Sequence, residues 1–140
     1  MPPPRFLVAR QPPHSTVPRM PRLWIALASI AAAGCGEEID PRPASWGYIH
    51  PAIVVPNCAT AGCHSEASAQ AGLSFESEQD ALRAFKAYTR PFNWNGSQLN
   101  AQLRGLPFLG SAIVRMPPDA PLPEADVQLI GRWVDQGAAP

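Results

Sequence analysis

Cys58-Ala59-Thr60-Ala61-Gly62-Cys63-His64 sets two thiols and an imidazole within seven residues. The four residues between the cysteines are small, so the loop can bulge and still bring both sulfurs to one edge of a partner. Such a cluster asks for a cofactor or a crosslink. Three readings follow from the residues alone. In an oxidising compartment Cys58 and Cys63 could pair as a disulfide and leave His64 an ordinary surface residue. Cysteine and histidine also bind zinc, but a closed structural site takes four ligands and only His50 lies nearby. The third reading is another cofactor, which the residues alone leave unspecified.

Outward from this stretch the pattern is helical. Before it, Ile49, Ile53 and Val54 share one helical face of Ile49-His50-Pro51-Ala52-Ile53-Val54. After it, Glu78 to Tyr88 gathers Ala81, Leu82, Phe85 and Tyr88 on one side, and Gln98 to Leu106 does the same with Leu99, Leu103 and Leu106. The last segment opens with Pro123, Glu124 and Asp126, residues that suit a first helical turn. It continues with Val127, Ile130, Trp133 and Val134 at helical spacing, and Gly137 is placed to stop it. Eighteen prolines and ten glycines favour loops over long regular elements, while 46% hydrophobic residues is too many for a disordered chain. The expected fold is all-α, with about four short helices and long proline-rich loops. Trp46 and Trp133 are read as core residues.

Cys58, Cys63 and His64 resemble the Cys-x-x-Cys-His haem-attachment motif of c-type cytochromes, with four intervening residues here instead of two. The resemblance extends to the short helix before the first cysteine, to Arg115-Met116-Pro117-Pro118, and to a final helix ending Trp133-Val134-Asp135-Gln136-Gly137-Ala138. It covers roughly residues 49–138, loosely between Phe75 and Gly110. It implies a cytochrome c-like domain carrying haem c. Cys58 and Cys63 would form the covalent thioether links, and His64 and Met116 would be the axial ligands of the iron. Met116 is the only methionine after residue 20. If it does not bind, the sixth position falls to His50 or stays open. A haem with both axial positions filled by protein has no substrate site, so the implied role is electron transfer to a redox partner protein. A buried haem would also supply the apolar centre that four short helices lack.

The first part of the chain reads as an address. Leu23 to Ala33 is an uncharged run of eleven residues after Arg19 and Arg22, short of the roughly 20 that span a bilayer and laid out as a signal peptide. Ala32-Ala33-Gly34-Cys35 resembles the lipobox of bacterial lipoproteins, with alanine where leucine is usual, which implies lipidation of Cys35. Translation from Met20 would leave a compact basic stretch directly before the apolar run. The organisation read from the sequence is therefore a signal segment over 1–34, a lipidated N-terminus and tether over 35–45, and a cytochrome c-like domain over 46–140. The expected location is the periplasmic face of a bacterial envelope membrane, the outer one in preference to the inner, held through the lipid.

Charge narrows the partners. From Cys35 onward there are seven basic and eleven acidic residues, and Lys86 is the only lysine. No basic cluster offers a footprint for nucleic acid. No Ser-His-Asp set or paired carboxylates stand out, so the chain reads as an electron carrier and not as an enzyme. The alternative from another class is a haem-free envelope lipoprotein, stapled by a Cys58–Cys63 disulfide, with a binding or structural role.

Overall fold

Pro51 shapes the first helix, α1 (residues 46–58), in a computed structural model that describes residues 40–140. The signal segment, Cys35 and the alternative start at Met20 lie outside the described residues. Proline has no N–H to donate and its ring crowds the carbonyl four residues back. The α-helical turn Trp46–Ile49 accordingly widens into a π turn over His50–Val54, where the Val55 N–H donates five residues back to His50. The helix then resumes over Val55–Cys58. Trp46, Ile49, His50, Ile53 and Val54 are buried, at spacings of three and four that make one inner stripe.

Helix α2 (Glu78–Ala87) begins at Ser77, whose hydroxyl accepts from the Asp80 N–H, and has Glu78 and Asp80 in its first turn and Lys86 in its last. It buries Ala81 and Phe85. Helix α3 (Gln98–Arg104) buries Leu99, Ala101 and Leu103 and stops at Gly105, which takes the left-handed φ of +67° that glycine adopts freely. Helix α4 (Glu124–Asp135) starts after Pro123 and buries Val127, Leu129, Ile130, Trp133 and Val134. Both α1 and α3 pack on α4. The described residues are helical with no strand, apart from an isolated bridge between Phe108 and Ser111. None of their helices is long and apolar enough to cross a membrane.

The core is aromatic at its centre. Trp46 and Trp133 pack at a tilt with centroids 5.0 Å apart, and Phe85 and Trp46 meet edge to face at 5.2 Å. Each such pair adds about 0.5–1.5 kcal/mol beyond the burial itself. Both indole N–H groups have partners: Trp133 donates to the Ala139 carbonyl at 2.6 Å and Trp46 to that of Glu78 at 3.3 Å. Both tryptophans thus fill the core, as the sequence suggests. Residues 40–42, within the segment read as a tether, run along α4. Arg132 donates to the carbonyls of Asp40 and Arg42, and the Arg42 guanidinium bridges Asp40 and Asp126.

Candidate functional site

Cys58 is the last residue of α1, and the loop that follows turns back on it. The Ala59 N–H closes the helix on Val54 and Val55, Cys63 N–H donates to the Thr60 carbonyl at 2.9 Å, and His64 N–H donates to the Cys58 carbonyl at 3.1 Å. The Cys63 carbonyl is taken by the Ser68 hydroxyl (2.8 Å) and the Gln70 N–H (3.0 Å). The four-residue interval between the thiols is thus a closed, hydrogen-bonded bulge. The two thiols are unlinked and partly buried.

His64 is oriented from outside the bulge. Its Nδ1 lies 3.2 Å from the Leu73 carbonyl oxygen. A carbonyl only accepts, so Nδ1 is the donor in this bond and Nε2 is the nitrogen left for a metal; this is the arrangement by which a backbone group usually fixes a metal-binding imidazole. Phe75 supports the same ring, with centroids 4.4 Å apart, while its N–H donates to the His64 carbonyl at 2.8 Å. The Phe75 carbonyl in turn accepts from His50 Nε2 at 3.0 Å. That bond occupies His50, which is 6% exposed and does not line the cleft that His64 faces. His50 is therefore a structural residue here, and the sixth-ligand alternative that named it loses its support.

The cleft brings together what the sequence separates. Cys58, Cys63 and His64 on one side and Met116 with Pro117 and Pro118 on another line one cavity of about 820 Å³, open mouth included. The floor is formed by Leu73, Phe75, Phe85, Leu99 and Leu103, and Asn57, Tyr88 and Gln102 are its few polar side chains. Met116 is 38% exposed, and its N–H donates to the Gln102 carbonyl at 2.9 Å. Burial pushes the Cys58 thiol up to about 12, and the neighbouring Cys63 adds in the same direction. At neutral pH Cys58 is thus a protonated thiol, poor as a free nucleophile.

Two thiols, an imidazole with a free Nε2 and a thioether around an apolar cleft suit a covalently held haem, which needs nitrogen and sulfur ligands and an apolar enclosure. Among the described residues no group of three or more His, Cys, Asp or Glu side chains converges to hold a metal ion, and His50 is engaged elsewhere. Comparisons with protein-family models, curated proteins and solved structures find no match.

Some of the site escapes sequence reasoning. Leu73 and Phe75 orient His64 through a carbonyl and a ring face, and their neighbourhood has no helical periodicity to mark them. Tyr88 and Gln102 are visible only as members of helical segments. The signal that could have found Phe75 is its nearness in sequence to His64, eleven residues on, with a loop of mostly small residues between.

Proposed function

We propose that this chain is an exported c-type cytochrome that carries electrons, with haem joined to Cys58 and Cys63 and its iron bound by His64 and Met116. The observation that carries the reading is the single apolar cleft shared by those four residues, which are up to 58 positions apart in the chain. Haem, when bound, supplies a reversible one-electron couple. The protein does the rest. The bulge between Cys58 and Cys63 presents both sulfurs to the cleft, the Leu73 carbonyl holds the proton on Nδ1 of His64, and Phe75 fixes that ring's plane. The apolar lining would limit the access of water to the group. His64 and Met116 would hold the iron and leave no place for a substrate, and the haem would supply electron transfer to a redox partner protein. The fold is then a cytochrome c-like domain, anchored to the periplasmic face of a membrane by lipid on Cys35.

Mass spectrometry of the exported protein tests this. The peptide spanning Cys58 to His64 is expected to carry the mass of one haem in the wild type, and to lose the double linkage in Cys58→Ser and in Cys63→Ser. A wild-type peptide with two cysteines joined only to each other would establish the haem-free, disulfide-stapled lipoprotein instead.

A further inference from the structure

Met116 sits in the part of the described chain least supported by secondary structure. From residue 105 to residue 123 no helix forms, and Leu109 and Val114 are largely exposed. The Met116 N–H is bonded to the Gln102 carbonyl, but Pro117 and Pro118, which follow it, have no N–H to give. Their carbonyls are met instead by one side chain. Arg115 donates from Nη2 to the Pro118 carbonyl at 2.9 Å and from Nε to the Pro117 carbonyl at 3.4 Å. It has no carboxylate partner among the described residues. Its aliphatic stem lies over Gly105, where a β-carbon would come within 3.2 Å of Arg115 Cβ. Only a guanidinium has donors set in a planar fork that can serve two successive carbonyls from one position.

We infer that Arg115 is the positioning residue for Met116: clasped to the Pro117 and Pro118 carbonyls and seated on Gly105, it holds the thioether in the cleft. This inference rests on the haem reading and deepens it. Without the clasp the methionine remains in the chain but dwells less at the ligating position, so an outside ligand competes better. Arg115 does not itself line the cleft and acts through its neighbour.

The test is titration of the ferric, haem-bearing protein with imidazole, followed by visible absorbance. Arg115→Ala is expected to raise imidazole affinity at least tenfold at unchanged haem content, with Arg115→Lys between it and the wild type. Gly105→Ala is expected to shift affinity in the same direction. In a Met116→Ala background the Arg115→Ala effect is expected to vanish, which a merely structural role would not produce. Equal imidazole affinity in wild type and Arg115→Ala, or an effect that persists without Met116, would overturn the inference alone. Wild-type protein exported without covalent haem would overturn the functional reading and this inference with it.

Discussion

Replacing Cys58 by alanine in the haem-free chain turns the burial of that thiol into a measurable pH dependence. Folding raises the thiol from its ordinary 9.0 to about 12, chiefly by desolvation. Below pH 9 the group is protonated in both the native and the unfolded chain, and its contribution is constant. Above pH 9 the unfolded chain releases the proton while the native chain keeps it, so stability falls as pH rises. The slope is about 1.4 kcal/mol per pH unit, which gives about 4 kcal/mol over the whole window and about 2 kcal/mol between about pH 9 and about pH 10.5. The quantity to follow is the difference between wild type and Cys58→Ala in urea unfolding, which cancels what the two proteins share. That difference is expected to move against the wild type by about 2 kcal/mol over the accessible range. Parallel pH profiles would refute the buried, protonated thiol. A thioether has no proton to lose, so the haem-bearing protein is expected to lack this component.

Three further outcomes are expected. Gly131 lies inside α4 where a β-carbon would come within 2.8 Å of Trp94 Nε1; Gly131→Val is expected to cost about 1–3 kcal/mol in urea unfolding, and an unchanged midpoint would refute the close packing. The Asp40 carboxyl is held down to about 2 by its hydrogen bonds from Arg42; in Arg42→Ala an NMR titration is expected to return it toward 3.8, and no movement would break the pairing argument. Cys35→Ser is expected to release the exported protein from membranes on fractionation, whereas continued membrane attachment would rule out lipidation at that residue.

The helices were legible where burial repeats along one chain segment. Ala81 and Phe85 mark α2, Leu99 and Leu103 mark α3, and Val127, Ile130, Trp133 and Val134 mark α4. The sequence places the end of the third helix at Leu106, but Gly105 stops it at Arg104 by taking a left-handed φ. The π turn over His50–Val54 has a cause that can be read, Pro51, but its register depends on which carbonyls the neighbouring turn leaves free. That Cys58, Cys63, His64 and Met116 line one cleft is a matter of the fold, but the sequence singles them out because those residue types are chemically distinctive. Their supports were not legible. Leu73 acts through a carbonyl, Phe75 through a ring face, and Arg115 through carbonyls of prolines that follow it. Such bonds are set by how loops lie in space, and a hydropathy pattern holds no record of them. The clamp of Arg132 on Asp40 and Arg42, 92 and 90 positions away, is of the same kind.

The most direct test of the central claim is the visible spectrum of protein exported in a host with haem-attachment machinery able to process the wider Cys58–Cys63 interval. It is recorded oxidised and after dithionite, then again after denaturation and organic extraction. The account expects sharp reduced bands and a chromophore that stays with the polypeptide through extraction. Colourless protein in which Cys58 and Cys63 have no free thiols would contradict it.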